Sequence, residues 1–571
     1  MRPLARLRGS NFGILTGHFL GRYFENEMVA PAGELRSGIA GILGVVAVPG
    51  LFLPLFLMEK YSTFIVTYLF HRNVDRDLAT LPDKYIFLAL AFVIPGLAAL
   101  LKWQTLFPDR KDHAILAPLP VRLRTIFLSK LTALAVFVLL FALAVNLAGS
   151  LLFPLIVLGD TGTLSTAVLH ISAQLLTTMA ASVFAALLVV CANGVLANVM
   201  PARLFRRITP WVEFALLVFL LAQLFLAPRV SELLTPLRTG PLWRAALFPP
   251  LWFLGLNEIV IGRSPQRWGA LATLATRGLA SAFLLSALFY LISYRRHFRK
   301  TAEMLDSGAR ATRRWLPLPS DPQQAAIVEF VRQTLFRHPA HRLLFSAFLG
   351  VGGAILVDGL AVVFVLPVPA RTSEILLFAL SAPLVVSFFL LTSLRFLLDI
   401  PAERPAHWIF RLTLDSRSTP GMWRGARRSL FELALLPATL FAIPVNVALW
   451  GPGLGLAHTL FCLLVGAFLL EALLLRYRKL PFSSVFGSAR SGFVVALLGW
   501  YIVFSIYSYT TIRIEYRLWA RPLEFFIATL IVAALSRLIL LARPWLLEGE
   551  PEALIVDEAE PAVQTLNLQA R

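Results

Sequence analysis

The sequence predicts an all-α polytopic membrane protein with about 12 transmembrane helices, arranged as two parallel six-helix repeats. Three observations lead to this fold class. The 571 residues are 58% hydrophobic and only 15% charged, whereas soluble domains carry about 25% charged residues. Twelve stretches are apolar over the ~20 residues that a helix needs to cross a bilayer. A short sequence repeat divides the chain into two halves.

The composition excludes several other classes of protein. The apolar content is too high for a disordered chain. The two cysteines, Cys191 and Cys462, each lie inside an apolar stretch, which excludes a disulfide scaffold. The formal net charge of +20 would suggest a nucleic-acid partner in a soluble protein. Here most of the 52 lysines and arginines fall in segments on one predicted side of the membrane. We therefore expect a lipid bilayer as a partner, no nucleic acid, and both termini in the cytoplasm.

The first half begins with residues 1–37, in which residues 10–36 have the pattern of an amphipathic entry helix on the membrane surface. Residues 38–294 form the first six-span membrane half. Its predicted spans are 38–58, 84–101, 126–157, 164–199, 209–227 and 268–294. Two further apolar segments, 61–70 and 243–262, are shorter, and we interpret them as interfacial or re-entrant.

The second half repeats this order. Residues 295–342 form a basic cytoplasmic linker, and residues 330–344 are predicted to form a second entry helix. Residues 343–542 form the second six-span half. Its predicted spans are 343–367, 374–398, 429–450, 454–475, 492–511 and 522–542. The last residues, 543–571, are predicted to be an acidic cytoplasmic tail.

The repeat is clearest in the third span of each half. Residues 140–148 (LFALAVNLA) and 440–448 (LFAIPVNVA) match at six of nine positions, and Asn146 is equivalent to Asn446. Polar residues inside spans are candidates for function. The two asparagines could therefore line a solute path, or each could make an ordinary hydrogen bond between helices.

Other polar residues give weaker indications. His170 and Gln174 are four residues apart, so they share a helical face of the fourth span and could contact solute. We expect no metal site, because His338 and His341 are separated by a proline and have no third ligand nearby in the sequence. Glu471 is expected to pair with Arg476 at the inner surface.

A proline-containing loop follows the second span of each half on the predicted cytoplasmic side. Residues 103–130 read WQTLFPDRKDHAILAPLPVRLRTIFLSK, and residues 401–411 read PAERPAHWIFR. Prolines break a helix into short pieces, and the charged and apolar residues between them could dock on a soluble partner. The pattern is equally compatible with a solvated turn.

These loops resemble a known family. The pattern W-x-x-L-F-P-D-R followed by P-L-P is similar to the cytoplasmic coupling segment in permease subunits of ABC exporters. Residues 401–411 resemble the second copy of this segment in the fused twelve-span form. Residues 334–343 are similar to the entry helix in the middle of such chains. The residues that would contact the ATPase are Phe107, Pro108, Asp109, Arg110, Pro401, Glu403 and Arg404.

The resemblance implies a permease in the plasma (inner) membrane of a bacterium, coupled through loops 103–130 and 399–428 to two copies of a separate ABC ATP-binding subunit. The sequence contains no G-x-x-x-x-G-K-[ST], so ATP is expected on that partner subunit. The chain would bind no cofactor directly and would not be an enzyme by itself. The short helix before the last span of such permeases would fall in 243–262. No equivalent is visible in the second half, where 512–521 is short.

Two other functions stay open at this point. A twelve-span secondary transporter is also built from two parallel halves, but it would need ion-coupling charges inside the membrane, of which the sequence has few. A membrane-embedded enzyme acting on lipid-linked substrates would need acidic residues in the first outer loop. Such residues are present there, as Glu59, Asp75, Asp77 and Asp83. The sequence does not identify the solute, and export rather than import rests on the resemblance.

Overall fold

The structure, a computed structural model, describes residues 10–24, 35–70, 76–106, 121–158, 163–227, 245–303, 317, 319–365, 368–400, 419–483 and 493–547. Within these ranges the chain is helical and contains no strand. Ten helices are long and apolar enough to cross a membrane. A helix suits this environment because it satisfies its backbone polar groups internally. The protein is therefore a multi-pass membrane protein. The chain divides into two compact units, Met1–Ala309 and Arg310–Arg571.

The first unit begins with a short amphipathic helix and continues through long apolar ones. Its helices are α1 (Asn11–Phe24), α2 (Leu35–Phe70), α3 (Arg76–Leu101), α4 (Leu123–Leu158), α5 (Leu164–Val199), α6 (Ala202–Phe225), α7 (Pro249–Val260) and α8 (Pro265–Glu303). Helix α5 is central and packs against α3, α4, α7 and α8. Helix α2 lies against α4, where a side chain at Gly50 would collide with the Val145 carbonyl. Glycine at this contact lets the two backbones approach closely.

The second unit has a similar order of helices. They are α9 (Pro322–Arg337), α10 (Pro339–Val365), α11 (Val368–Leu397), α12 (Thr419–Leu430), α13 (Leu436–Leu474), α14 (Phe493–Ser505), α15 (Thr511–Leu518) and α16 (Pro522–Leu546). Two π-helical turns, Phe431–Leu435 and Ile506–Thr510, join α12 to α13 and α14 to α15. Helix α13 is central and packs against α11 and α16.

Helix α13 reverses direction at Gly451, whose backbone has φ 78° and ψ 169°. In a straight helix, Asn446 and Thr459 would be about 20 Å apart along the axis. Instead their side chains form a hydrogen bond of 2.9 Å. The chain therefore folds back into two antiparallel arms, 436–450 and 452–474. The predicted spans 429–450 and 454–475 fall on these two arms.

Two predictions about helix limits are wrong. Residues 61–70 are not a separate interfacial segment, because α2 continues without a break from Leu35 to Phe70. The second entry helix does not run through 330–344, because α9 ends at Arg337 and Pro339 starts α10. Proline lacks the N–H that would continue the hydrogen-bonding pattern of the preceding helix. The break between α9 and α10 therefore falls at His338, directly before Pro339.

Three other predicted segments are described in part or in full. Helix α1 covers 11–24 of the predicted entry helix, and 25–34 lie outside the described residues. The segment 243–262 contains the short, largely buried helix α7. A short helix, α15, also precedes the last helix of the second unit, where the sequence showed no equivalent. The predicted acidic tail, 543–571, begins inside α16, which ends at Leu546, and its residues 548–571 lie outside the described residues.

Candidate functional site

The residues predicted to dock a partner cannot be located, because all seven lie outside the described residues. They are Phe107, Pro108, Asp109, Arg110, Pro401, Glu403 and Arg404. The residues just before them are held by side chains of neighbouring helices. Asn193 donates a hydrogen bond to the Trp103 carbonyl (2.7 Å), and His341 Nε2 lies 3.1 Å from the Ile400 carbonyl. Each loop thus leaves its unit from a fixed point.

Helix α12 lies at the end of the second predicted docking segment, 399–428. It packs closely on α9, because a side chain at Gly421 or Gly425 would overlap Gln323 or Ile327. Arg424 stays exposed on this helix. Arg427 forms an ion pair of 2.6 Å with Glu471, so the predicted pairing of Glu471 with Arg476 is wrong.

Arg395, Asp399 and Tyr477 form a group of contacting side chains near the end of α11. The guanidinium of Arg395 pairs with Asp399 (2.7 Å) and lies over the ring of Tyr477, 4.8 Å from its centroid. Burial raises the pKa of the Tyr477 hydroxyl well above its ordinary value. This phenol therefore stays neutral and contributes packing area rather than charge.

Asn146 and Asn446 make the same interaction in their respective units. Asn146 Nδ2 donates to the Ser182 hydroxyl of α5 (2.8 Å), whose oxygen lies 2.7 Å from the Ala91 carbonyl of α3 and 2.9 Å from the Thr178 carbonyl four residues earlier. Asn446 Nδ2 donates to the Thr459 hydroxyl on the second arm of α13 (2.9 Å), and Thr459 donates to the Gly455 carbonyl (2.7 Å). Both asparagines are buried. Each one joins the third to the fourth predicted span of its half.

The other two solute-path candidates have different surroundings. Gln174 is buried and its Oε1 accepts a hydrogen bond from Asn257 of α7 (3.4 Å), while its Nε2 has no hydrogen-bond partner among the described residues. Asn257 also donates to the Thr177 hydroxyl (3.1 Å). His170 is half-buried and its Nδ1 lies 2.8 Å from the Thr166 carbonyl of its own helix. Gln174 therefore belongs to a buried polar group between α5 and α7, and His170 does not join it.

A buried ion pair lies beside this polar group. Lys84 Nζ of α3 contacts Glu258 Oε1 of α7 at 2.6 Å, and their side chains are 11% and 4% exposed. Arg263 approaches the other carboxylate oxygen of Glu258 at 3.9 Å. Buried charges are tolerated when they are paired. The sequence analysis missed this pair because Lys84 lies at the first residue of a predicted span and Glu258 lies in a segment interpreted as interfacial.

Asp83 forms a second buried group next to the first. Its Oδ2 accepts hydrogen bonds from Lys60 Nζ (2.7 Å) and from the Tyr61 hydroxyl (2.5 Å). Asp83 was predicted to lie in an outer loop, but α3 begins at Arg76 and carries this residue into the helix. Asp83 is therefore buried between α2 and α3. A membrane-embedded enzyme acting on lipid-linked substrates would need acidic residues that are exposed, and Asp83 is not one of them.

The second unit contains a buried cluster of three potential metal ligands, His458, Cys462 and Glu515. His458 Nδ1 lies 2.7 Å from Glu515 Oε1, and the Cys462 sulfur is 3.7 Å from His458 Nδ1. The indole N–H of Trp519 also donates to Glu515 Oε1 (3.4 Å). His458 and Cys462 are on the second arm of α13, and Glu515 is on α15. The sequence analysis missed this group because its members are up to 57 residues apart.

The two buried glutamates have matching positions in their units. Glu258 lies in the short helix α7, seven residues before Pro265, the first residue of α8. Glu515 lies in the short helix α15, seven residues before Pro522, the first residue of α16. Proline is favoured at the first position of a helix. Each unit therefore has a short helix with a buried acid directly before its last helix.

An apolar cleft of ≈ 480 Å³ opens between the second arm of α13, the π-helical turn before α15, and α16. Phe461, Ile506 and Ile531 are among the side chains that line it. A cleft with so few polar groups in its lining suits a hydrocarbon chain. Tyr507, which also lines the cleft, has its hydroxyl 2.7 Å from that of Ser387.

No family model, curated protein or solved structure matches this chain.

Proposed function

We propose that this chain is the membrane-spanning permease subunit of an ATP-driven ABC exporter in a bacterial plasma membrane. The observation that carries the proposal is the pair of matching arrangements in the two units. Each unit has an asparagine of one span bonded to a hydroxyl of the next, and a short helix with a buried glutamate before its last helix. These matches support two copies of one six-span half, as in fused permeases.

Twelve spans are compatible with the ten apolar helices. The stretch Pro420–Leu474 counts as one of the ten, and its reversal at Gly451 would make it cross the membrane twice. The α14 helix and the π-helical turn that follows it, residues 493–510, would add one further crossing. The start of each predicted loop is also held by a side chain of a neighbouring helix. Asn193 contacts the Trp103 carbonyl, and His341 contacts the Ile400 carbonyl. This arrangement suits loops 103–130 and 399–428 as the places where separate ATP-binding subunits dock.

The proposal is tested by purifying the tagged full-length chain from its host membranes and identifying the proteins that accompany it. We expect a P-loop ATPase to co-purify and vanadate to inhibit transport. Reversing the charges at Asp109 and Arg110, together with Glu403 and Arg404, should reduce the recovered ATPase at least tenfold. These substitutions invert the charges that the docking residues would present to the partner.

A matched control is available in the chain itself. Asp75 and Arg76 form the same Asp-Arg dipeptide in a segment predicted to lie on the opposite side of the membrane. Reversing the charges at these two residues should leave the recovery of the ATPase unchanged. Full recovery with the loop variant, or equal loss with both variants, would refute docking at the loops.

One observation favours a second candidate, a twelve-span secondary transporter. The structure places two pairs of ionisable side chains in the interior, Lys84 with Glu258 and His458 with Glu515, although the sequence showed few such groups. Intramembrane ionisable residues often belong to ion pathways. Transport by a secondary carrier would stop when a protonophore collapses the proton gradient and would be insensitive to vanadate. The first candidate requires the opposite result.

A further inference from the structure

We propose that His458, Cys462 and Glu515 bind a divalent transition metal of the zinc class, which ties α15 to the second arm of α13. His458 and Cys462 are one helical turn apart and so share one face of that arm. Glu515 faces them from α15. Their ligand atoms all lie within 4.8 Å of one another. This site is independent of the proposed transport function.

The distances are close to those of a metal site. Zinc lies about 2.3 Å from a thiolate and about 2.0–2.1 Å from an imidazole nitrogen, so tetrahedral geometry places the two ligand atoms about 3.6 Å apart. The Cys462 sulfur is 3.7 Å from Nδ1 and 3.6 Å from Nε2 of His458. Because the sulfur is nearly equidistant from both nitrogens, rotation of the ring is enough to direct one of them at the ion. The contact between Nδ1 and Glu515 Oε1, now 2.7 Å, must open by about 0.6 Å to reach the spacing of two zinc ligands.

Charge balance favours a divalent ion. A metal-binding cysteine is a thiolate, a metal-binding histidine is neutral and the carboxylate is ionised. These three ligands carry two negative charges, which one Zn²⁺ ion neutralises. All three residues are buried, and His458 and Glu515 have fully buried side chains. A net charge is costly in such an interior, so a neutral ion–ligand set is stable there.

An unsatisfied oxygen points to the same conclusion. Glu515 Oε1 receives contacts from His458 and from the indole N–H of Trp519. Its other oxygen, Oε2, is buried and has no hydrogen-bond partner among the residues that the structure describes. Buried polar atoms normally have a partner. A metal ion bound by both oxygens of the carboxylate would satisfy Oε2 as well as Oε1.

The ligand types select the metal. Mg²⁺ and Ca²⁺ prefer oxygen ligands, whereas thiolate and imidazole ligands favour zinc and similar ions. The indole N–H of Trp519, which donates to Glu515 Oε1, would then orient the carboxylate that holds the ion. Its ring also packs on Trp450, with 5.4 Å between ring centroids.

The experiment uses the purified full-length chain with Zn²⁺, Co²⁺ or Mg²⁺ alone. We expect one tightly bound Zn²⁺ per chain by mass spectrometry of the metal content. Co²⁺ should give the near-ultraviolet charge-transfer band of a thiolate-bound ion and the visible bands of tetrahedral cobalt, and Mg²⁺ should not bind. A chain that takes up neither Zn²⁺ nor Co²⁺ overturns the proposal and leaves a histidine–glutamate hydrogen bond as the whole interaction.

Variants assign the ligands. Cys462→Ser should remove the charge-transfer band, and the matched variant of the other cysteine, Cys191→Ser, should keep it. Glu515→Gln should weaken Zn²⁺ binding by more than a hundredfold, and Trp519→Phe, which removes only the N–H that donates to the carboxylate, by about 10- to 100-fold. A Cys462→Ser chain with the full band contradicts the site.

A readout on the unmodified chain covers the case in which the Cys462 variant does not fold. Zn²⁺ should slow alkylation of Cys462 at least tenfold in detergent at a temperature where the cysteine becomes reactive. The reactivity of Cys191 should not change. Equal alkylation rates of Cys462 with and without Zn²⁺ would overturn the proposal.

Discussion

At the scale of single residues, the two units place an acid at matching positions but give it different partners. Glu258 faces a lysine, and Glu515 faces a histidine. A buried ion pair adds little net stability, but removing one partner leaves an uncompensated charge in the interior. The effect of removing either acid on the stability of its unit therefore depends on the buried partner that is left behind.

This argument gives a prediction for the first acid. Glu258→Gln should destabilise the protein by about 3–5 kcal/mol, because the buried Lys84 loses the carboxylate with which it pairs. The double variant Glu258→Gln with Lys84→Met should recover more than half of that loss. Thermal unfolding in a mild detergent measures both effects.

The exposed pair between Arg521 and Glu524 provides the control. Their side chains are 69% and 50% exposed, and such pairs contribute about 0–1 kcal/mol. Arg521→Gln should therefore change stability by less than the Glu258 variant. A double variant at Lys84 and Glu258 that is less stable than Glu258→Gln alone would contradict the charge argument.

The sequence predicts polar residues inside spans better than it predicts their partners. The repeat identified Asn146 and Asn446, because both lie in a matching nonamer. It could not find Ser182 and Thr459 as their partners, because serine and threonine occur at many positions of apolar helices. His458 and Glu515 were missed for a different reason, because the folding of α13 and α15 brings them together over a long stretch of chain.

At the scale of secondary structure elements, the reversal of α13 depends on a glycine. The dihedral angles of Gly451 fall in a region that is essentially restricted to glycine. Helix α13 then returns so closely that a side chain at Gly455 would overlap the backbone of Asn446. The reversal and the hydrogen bond between Asn446 and Thr459 therefore belong to one compact hairpin.

We predict that Gly451→Ala destabilises the protein by about 1–3 kcal/mol, the usual cost of a strained backbone conformation. Gly453→Ala is the matched control, because a Cβ at this position meets no atom within 4 Å and its φ is not positive. It should be neutral or stabilising by up to about 1 kcal/mol, since alanine favours helix. The unfolding temperatures of the two variants, measured under the same detergent conditions, test this prediction. Equal losses would mean that the hairpin does not depend on the backbone of Gly451.

Helix limits were harder to predict than helix positions. Apolar runs identified most long helices, because lipid accepts apolar side chains on any face. They could not show that α2 continues through 61–70, because Glu59 and Lys60 interrupt the apolar run, or that α3 begins at Arg76, because its first residues include several charged ones. Lys60 and Asp83 are satisfied by each other, and this pairing is visible only in three dimensions.

At the scale of the whole molecule, the charge distribution predicts a topology with both termini inside. Asp75→Cys should react with a membrane-impermeant maleimide in intact cells, whereas Asp109→Cys should react only after the cells are permeabilised. The reason is that Lys and Arg near the ends of spans hold their loops in the cytoplasm. Labelling of the parent chain measures the background from Cys191 and Cys462. Reaction of both new cysteines in intact cells would contradict the predicted orientation.

The membrane class and the helical architecture followed from composition and hydropathy alone. The composition of 58% hydrophobic and 15% charged residues, with a mean hydropathy of +0.75, leaves a bilayer as the only solvent for so much apolar surface. Helix α16, for example, buries none of its side chains within the chain. Docking of a partner on loops 103–130 and 399–428 could not be predicted from these quantities, because they describe solvent preference and not binding.

If the two units are copies of one six-span half, as we propose, the different partners of Glu258 and Glu515 have an evolutionary consequence. In a homodimer of six-span subunits, every substitution appears in both copies, so a lysine that suits one acid must be accepted beside the other. A chain that carries both halves in one gene is free of this constraint. One half can keep a permanent ion pair while the other acquires a histidine and a cysteine, and selection can act on each position separately.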